Sequence, residues 1–161
     1  MPSPVLSLRP FTDRDRAFFT GLATDERVTR HIGDGQPWSA AQISPRVTTA
    51  LEDASVCRVG GRRWFLADDG QQAVGLLTAT RRKAGVEIGY WVTPAQWGRG
   101  IAGAVITQAQ ELLPVIFRCS VLLAEVAPDN TTSARALVRR GFRLLSRSGG
   151  HNCYTWAAGP K

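Results

Sequence analysis

The sequence predicts an α+β fold in which a mixed, mostly antiparallel sheet is flanked by helices. The first observation is the order of predicted elements: a strand, helices, three antiparallel strands, a helix, a strand, a helix and two strands. The second is Asp69-Gly70, a strong hairpin signal between two of those strands. The third is a chain of 161 residues, 43% of them hydrophobic, without an internal repeat or linker. Such a chain can bury one core, so residues 1–161 are expected to form a single domain.

The first third of the chain predicts one strand and two helices. Residues 5–9 alternate apolar and polar side chains, as a half-buried strand does. Residues 12–22 begin with Thr and contain two early Asp, which is typical of a helix start. After a Gly-rich loop, residues 39–56 predict a second helix, with Pro45 as a point where it can break or restart.

The middle third predicts three strands and the central helix. The strands 63–67 and 73–81 pair through the Asp-Gly turn, and 86–92 is the next strand. The helix at 98–113 carries an apolar stripe, and Pro114 marks its end.

The last third predicts a strand, a helix and a final pair of strands. Residues 119–126 are nearly all apolar, as expected of a strand covered on both faces. A helix opens at residues 128–130 and ends before Gly141, a residue type typical of a left-handed C-cap. The ranges 142–145 and 153–156 form the last two strands.

The charge and the cysteines restrict the classes of function. A net charge of +7 and a pI near 10.3 favour acidic partners such as coenzyme phosphates, an anionic substrate or ribosomal RNA. No basic stripe interleaved with aromatic residues stands out, so dedicated nucleic-acid recognition is not expected. The three cysteines are an odd, widely spaced set without C-x-x-C, which fits reduced thiols and no metal site.

The sequence carries no signature of a membrane protein. No run of 18 or more apolar residues exists, so no transmembrane helix is expected. The N-terminus lacks the basic region and long apolar stretch of a signal peptide. Together with the reduced cysteines, these features predict a cytoplasmic protein without a membrane partner, either a monomer or a homodimer.

The most informative stretch is 87–103, where a strand, a short turn and a Gly-rich helix start follow one another. Glycine lets a ligand approach the main chain closely. The first N–H groups of a helix have no partner inside the helix, and together with the helix dipole they attract an anion. This order of elements predicts a site for a phosphorylated cofactor around Gly98, Gly100 and Gly103.

The same glycines also fit a dinucleotide site or an ordinary Gly-rich turn. They spell the dinucleotide fingerprint G-x-G-x-x-G, and Glu125 lies about 20 residues beyond, where a ribose-binding acid is expected. Against a dinucleotide site, residues 93–97 separate the strand from the first glycine. The dinucleotide fold also needs several βαβ units, and the second half of this chain does not repeat the first.

Residues 97–102, Trp-Gly-Arg-Gly-Ile-Ala, resemble the acetyl-CoA motif Q/R-x-x-G-x-G/A of the GCN5-related N-acetyltransferase (GNAT) superfamily, with Trp at the first position. The resemblance is specific from residue 87 to 142, and the order of elements matches over most of the chain. It implies that the strands 86–92 and 119–126 splay apart and hold the pantetheine arm of acetyl-CoA, the acetyl donor. The implied cofactor-binding residues are Trp91, Val92, Gly98, Arg99, Gly100, Ile101, Ala102, Gly103 and Asn130.

A second resemblance covers residues 130–142, which fit N-x-x-S-x-x-x-x-x-x-x-G-F of the subgroup that acetylates ribosomal-protein N-termini, the Rim type. It implies that Asn130 contacts the cofactor arm, although a plain helix cap also explains an Asn there. Many family members have a tyrosine acid where this chain has Leu137. Ser133 is then the implied catalytic partner of the thiolate, or else a hydroxyl bonded to its own helix backbone.

Glu87 is the candidate catalytic base. A free α-amine has a pKa of about 8 and a Lys amine of about 10.4, so a base that removes the proton helps the reaction. Glu87 shares one face of its strand with Gly89, which leaves room beside it. The resemblance implies a glutamate on this strand in that role. Glu125 and Asp129 are reserves, and a surface carboxylate is the alternative for Glu87.

The resemblance implies direct acetyl transfer from acetyl-CoA to a primary amine in a ternary complex. The acceptor is then a protein N-terminus, an amine antibiotic or another small amine such as a polyamine. Two alternatives belong to other classes: a non-catalytic acetyl-CoA sensor, and a ribosome- or RNA-associated binding protein. His31 and His151 are assigned to a solvated loop and a flexible loop, without a chemical role.

Overall fold

A computed structural model describes residues 4–52 and 55–159 and confirms the α+β fold. Its strands are β1 Ser7–Pro10, β2 Arg62–Asp68, β3 Ala73–Arg81, β4 Val86–Val92, β5 Val121–Val126, β6 Arg143–Ser148 and β7 His151–Ala157. Its α-helices are α1 Arg16–Ala23, α2 Glu26–Thr29, α3 Ala40–Leu51, α4 Ile101–Phe117 and α5 Thr131–Arg139. The strands form one sheet in the order β1-β2-β3-β4-β5-β7-β6. Within the described residues β4 and β5 run parallel, and the other neighbours run antiparallel.

Two cores cover the two faces of the sheet. The α4 core is the cluster under α4 and α5, and its fully buried members include Val105, Ile106, Leu113, Phe117, Leu122 and Leu137. The aromatic core lies on the opposite face with α1 and α3, and the rings that contact one another there are Phe11, Phe19, Trp38, Trp64 and Trp91. Because side chains alternate along a strand, β4 contributes Ile88 to the first core and Trp91 to the second.

Phe19 lies at the centre of the aromatic core. Its ring is fully buried, stacks on Trp91 with centroids 5.4 Å apart, and meets Trp64 edge-on at 4.9 Å. Trp38 lies 6.0 Å from Phe19 and 5.3 Å from Trp91. Since α1 and Trp38 are distant from β4 in the chain, these ring contacts hold the N-terminal helices against the sheet.

Helix α4 begins and ends later than predicted. Gly98 and Gly100 have positive φ angles of 78° and 76° and precede the helix, whose first residue is Ile101. Pro114 lies inside the helix, so the predicted end at that residue is wrong. Proline removes one helical hydrogen bond, but the burial of Phe117, which is 0% exposed, offsets that loss and extends the helix by another turn.

The N-terminal helices also differ from prediction in their bounds. The predicted helix at 12–22 is a 3₁₀ turn at Asp13–Asp15 followed by α1. Helix α3 is capped by Ser39, as predicted, and continues through Pro45, but it ends at Leu51. Residues 53 and 54 of the predicted helix lie outside the described residues.

Three expectations about the C-terminal part of the chain are corrected. Strand β5 buries Leu122, Ala124 and Val126 but exposes Glu125, so it is covered on one face and not on both. The last hairpin is longer than predicted, because β7 pairs with β5 on one side and with β6 on the other. His151 is the first residue of β7 and does not lie in a flexible loop.

Candidate functional site

The candidate site is a gap in the middle of the sheet. β4 and β5 pair at two positions, the second of which joins Glu87 to Leu123, and the ladder then stops. From Ile88 onward β4 has no strand neighbour on this side among the described residues, so the two strands diverge as predicted. The gap leaves main-chain polar groups of β4 without a strand partner, and an extended ligand can pair with them.

The end of β4 turns its main chain toward this gap. Thr93 N–H donates to Val74 O beside β3 at 3.0 Å. Successive residues of an antiparallel strand direct their N–H and C=O groups to opposite sides, so Tyr90 and Val92 direct theirs toward the gap. The Val92 carbonyl accepts a hydrogen bond from Nε1 of Trp97 at 2.9 Å, which places the half-exposed indole ring at the end of the gap.

The loop before α4 presents free main-chain donors. Gly98 and Gly100 are exposed and have positive φ, a conformation that costs an ordinary residue about 1–2 kcal/mol. The N–H groups of Ile101, Ala102 and Gly103 have no partner within the helix, because they belong to its first turn. These donors and the positive end of the helix dipole make the loop suitable for a diphosphate.

Arg140 adds a cation over the first turn of α4. Its guanidinium occupies the space beside Gly103 where a Cβ would otherwise stand. Its Nε donates to Thr107 Oγ1 at 3.3 Å, and the exposed Arg99 lies in the loop nearby. Positive charge at a helix N-terminus is unfavourable unless an anion binds there. Sequence analysis missed Arg140, because it follows α5 and is far from Gly103 in the chain.

The start of α5 brings Asn130, Ser133 and Tyr90 together. Asn130 Oδ1 accepts a hydrogen bond from Ser133 N at 3.3 Å and caps the helix. The Nδ2 of Asn130 has no hydrogen-bond partner in the described part of the chain. Ser133 Oγ lies 2.6 Å from the Tyr90 hydroxyl oxygen. Burial raises the pKa of Tyr90, against the smaller opposing effects of the Ser133 hydrogen bond and the Arg140 charge.

Tyr90 is a second residue that sequence analysis missed. Side-chain roles on this strand were predicted only for the face that carries Glu87, and Val92 only for its main chain. Alternation places the Tyr90 side chain on the other face, toward α5. That alternation is the signal that could have identified it. Leu137 is fully buried and packs in the α4 core.

The face of β4 opposite to Tyr90 carries the candidate base, Glu87. Glu87 Oε2 lies 3.2 Å from Arg82 Nη2, and the Glu87 side chain is 28% exposed. The expected free room beside Gly89 is taken by Thr78, because a Cβ at Gly89 would lie 2.8 Å from Thr78 Oγ1, which donates to the Gly89 carbonyl at 3.4 Å. Trp91, the next residue on this face, packs into the aromatic core.

Glu125 and Cys153 extend this surface across β5 and β7. They are register partners in the antiparallel ladder. Burial raises the pKa of the Cys153 thiol, and the charges of Glu125 and Glu87 raise it further. The thiol therefore stays protonated at neutral pH, which makes it a poor nucleophile. Cys57 and Cys119 are likewise free thiols.

His31 links the N-terminal helices to the segment before α5. Its Nδ1 lies 3.2 Å from Asp129 Oδ1. The histidine assigned to a solvated loop thus has a defined partner, and this partner is one of the two reserve bases.

Residues 4–52 and 55–159 contain neither a candidate metal site nor a membrane-spanning helix. No group of three or more His, Cys, Asp or Glu side chains there comes together in a way that could hold a metal ion. No helix in these ranges combines the length and the apolar character needed to cross a membrane.

Comparisons of the sequence agree with this geometry. Residues 6–143 match the sequence model of the acetyltransferase (GNAT) domain. The uncharacterized N-acetyltransferase YoaA of Bacillus subtilis is 30% identical over 143 residues, which cover 86% of this chain and 79% of that protein.

Solved structures with the same fold include acetyltransferases bound to coenzyme A. The spermidine N-acetyltransferase of Vibrio cholerae, in complex with CoA and spermine, matches with a TM-score of 0.76 at 16% identity over 93% of this chain and 92% of that one. RimJ of Mycobacterium smegmatis, in complex with CoA-disulfide, matches with a TM-score of 0.77 at 24% identity over 98% and 84%. At these identities the likeness concerns the fold.

Proposed function

This chain belongs to the GNAT family of acetyltransferases, and we propose that it acetylates the α-amine of a protein N-terminus. It is an acyl-CoA-dependent N-acetyltransferase with acetyl-CoA as its acetyl donor. We assign it to the Rim-type subgroup, acting as a single domain by direct transfer in a ternary complex. The observation that carries the proposal is the gap between β4 and β5, which opens beside the start of α4 and the hydroxyl of Ser133.

In this proposal the donor lies along the gap, with its diphosphate against the loop before α4. The N–H groups of residues 98–103 hold the diphosphate, and Arg140 adds positive charge beside it. The pantetheine arm passes Trp91 and Val92 and pairs with the main-chain groups of Tyr90 and Val92, because the main-chain groups of Trp91 face β3. The free Nδ2 of Asn130 donates a hydrogen bond to the arm, while Oδ1 continues to cap α5.

The amine approaches from the face that carries Glu87. Glu87 takes the ammonium proton, directly or through water, and the neutral nitrogen attacks the thioester carbonyl. The C–N bond forms, the C–S bond breaks, and the electron pair leaves on sulfur, where the Ser133 hydroxyl stabilises the thiolate. The nitrogen gives up its second proton as the amide forms, and that proton reaches the thiolate through water. Cys153 is not an acyl carrier in this scheme, because its raised pKa keeps it protonated.

Two observations favour a protein N-terminus as the acceptor. Residues 130–142 carry the Asn, Ser and Gly-Phe signature of the Rim-type subgroup, and RimJ shares the fold over 98% of this chain. An α-amine with a pKa of about 8 is neutral in a much larger fraction at pH 7 than a Lys amine at about 10.4. A site with one half-buried carboxylate therefore suits an N-terminus better than a lysine side chain.

A small polyamine is the second candidate acceptor. Glu87 and Glu125 both act electrostatically on Cys153, so two carboxylates face one surface in a chain of net charge +7. Such a surface suits a flexible substrate with more than one ammonium group. The Vibrio cholerae spermidine acetyltransferase, which shares the fold, was solved with spermine.

Release of free thiol from acetyl-CoA with a panel of amines tests the acceptor. The panel contains a lysine-free peptide with a free N-terminus, an N-terminally blocked peptide with one lysine, spermidine and an aminoglycoside. We expect the free N-terminus to react with the highest kcat/KM. A higher value for spermidine would establish the second candidate. If acetyl-CoA neither binds nor raises the Tm, the proposed donor site is wrong.

Glu87→Gln tests the base. We expect kcat to fall about 100-fold near pH 7, because general-base catalysis typically contributes that much or more. The loss shrinks as the pH approaches the pKa of the amine, since the substrate then deprotonates without help. Glu111→Gln, an exposed carboxylate of α4, is the matched control. A wild-type pH profile in Glu87→Gln would transfer the role to Glu125 or Asp129.

A further inference from the structure

We propose that Tyr90 is a positioning residue for acetyl transfer, which holds the Ser133 hydroxyl so that its proton points at the departing sulfur of coenzyme A. The inference rests on the proposed function, in which Ser133 contacts that sulfur. It adds Tyr90, on strand β4, to the signature residues, which lie on and beside helix α5.

Tyr90 reaches across the gap at the level where β4 has already separated from β5. The last register pair of the two strands is at Glu87, and Tyr90 lies beyond it. Its hydroxyl oxygen is 2.6 Å from Ser133 Oγ and 3.4 Å from Ser133 O. Among the described residues, these contacts are the hydrogen bonds that join β4 to α5. The tyrosine therefore sets the distance between the two walls of the donor gap.

Tyr90 also determines the direction of the Ser133 hydroxyl. The Ser133 main chain is fixed, because its N–H donates to Asn130 Oδ1 at 3.3 Å. A serine hydroxyl rotates to suit its neighbours, and on a helix it commonly turns back to a carbonyl of its own main chain. When the Tyr90 O–H donates to Ser133 Oγ, one lone pair of that oxygen is occupied. The serine proton is then free to point into the gap.

The transfer step balances with the groups already named. The amine nitrogen bonds to the carbonyl carbon, the C–S bond breaks with its electron pair on sulfur, and Glu87 holds the ammonium proton. Ser133 O–H donates a hydrogen bond to the thiolate, and Tyr90 O–H donates to Ser133 Oγ. Neither hydroxyl ionises, and burial, by raising the pKa of Tyr90, favours that protonated form. As the amide forms, its nitrogen loses its second proton to water, and the released thiolate takes up a proton from that water.

Steady-state kinetics of four variants test the inference. Tyr90→Phe removes the hydroxyl and keeps the ring, Ser133→Ala removes its partner, and the double variant combines both. Tyr154→Phe is the matched control, because it removes the same atom from the buried tyrosine of β7. Each variant is assayed with acetyl-CoA and with the analogue in which oxygen replaces the thioester sulfur. Tm and acetyl-CoA affinity are measured in parallel.

We expect Tyr90→Phe to lower kcat about tenfold with an unchanged KM for acetyl-CoA, the size of one well-placed hydrogen bond. Adding Tyr90→Phe to Ser133→Ala is expected to cause no further loss, because the tyrosine acts through the serine. Tyr90→Phe and Ser133→Ala are each expected to lose more activity with the oxygen ester than with the thioester. An alkoxide is a stronger base than a thiolate, so its departure depends more on a hydrogen-bond donor.

Additive losses in the double variant would overturn the inference. Equal losses with the thioester and the oxygen ester, accompanied by a lower Tm, would also overturn it, since a merely structural bond does not distinguish the leaving atom. Wild-type kcat in Ser133→Ala, with the amine still acetylated, would refute the roles of Ser133 and Tyr90 and leave the proposed acceptor intact. Failure of the native protein to acetylate any N-terminal peptide would refute the proposed acceptor alone, provided that another amine reacts.

Discussion

The two faces of the sheet are built from different kinds of sequence. The α4 core draws on one continuous helix and on neighbouring strands, so many of its side chains are close together in the chain. The aromatic core collects its five contacting rings from separate segments that meet only in the folded protein. The proposed donor site lies on the side of the first core, and the proposed acceptor surface lies on the side of the second.

This difference separates the proposed binding of the donor from the proposed binding of the acceptor. On the α4 side, ligand contacts come mainly from main-chain groups and helix ends, which depend on backbone shape. On the aromatic side, the side chains themselves form the surface. Changes on the α4 side are therefore expected to alter donor binding, and changes in the aromatic core are expected to alter stability first.

The largest effect is expected from Phe19→Ala. The ring is fully buried and contacts Trp38, Trp64 and Trp91, so its removal is expected to lower the free energy of unfolding by about 3–5 kcal/mol. The affinity of the folded protein for acetyl-CoA is expected to stay unchanged. Urea unfolding and calorimetric titration measure both, with the less buried Phe18→Ala as control. A weaker affinity in the folded variant would show that the two faces are coupled.

An intermediate effect is expected from Arg140→Ala, on the α4 side. A hydrogen bond to a charged group contributes about 1.5–3 kcal/mol, so the Kd for acetyl-CoA is expected to rise about tenfold or more. Gly103→Ala is expected to act similarly, because its methyl group displaces the guanidinium, although the helix itself gains about 1 kcal/mol in propensity. Arg139→Ala removes a neighbouring exposed charge and serves as control. An equal Kd in Arg140→Ala and Arg139→Ala would contradict a local contact.

The smallest effect is expected at Asn130. Two substitutions there distinguish the capping of α5 from the proposed hydrogen bond to the cofactor. Asn130→Ala is expected to lower stability by about 1 kcal/mol, because the cap of α5 is lost. Asn130→Ser keeps a capping oxygen but lacks the amide donor, so stability is expected to recover while the KM for acetyl-CoA stays raised. Thermal unfolding and initial rates distinguish the two. If the serine variant restores both quantities, Asn130 is a helix cap and nothing more.

The sequence predicts this fold best where the governing pattern is local. The strands predicted at 63–67, 73–81 and 86–92 correspond to β2, β3 and β4 with nearly the same bounds, since alternation and an Asp-Gly turn act over a few residues. The divergence of β4 and β5 is also confirmed. It followed from the resemblance to a family rather than from any property of the residues in the gap.

Prediction was less successful where distant residues decide the outcome. Pro114 was expected to end α4 by its intrinsic preference, but the burial of Phe117 in the α4 core carries the helix past it. Tyr90 and Arg140 belong to the candidate site because they contact Ser133 and Gly103, which lie on other elements. Such contacts have no counterpart in a one-dimensional pattern, because they depend on how the elements pack.

The short parallel ladder between β4 and β5 has a mechanical consequence. The seven-stranded sheet consists of two smaller sheets, β1–β4 and β5–β7, each made from an unbroken stretch of chain. Cleavage of the chain at residues 118–120 would leave every antiparallel ladder intact. It would remove only the covalent link between the part that contains β1–β4 and the part that contains β5–β7. In our proposal acetyl-CoA lies between β4 and β5. It would then contact both fragments and stabilise their association.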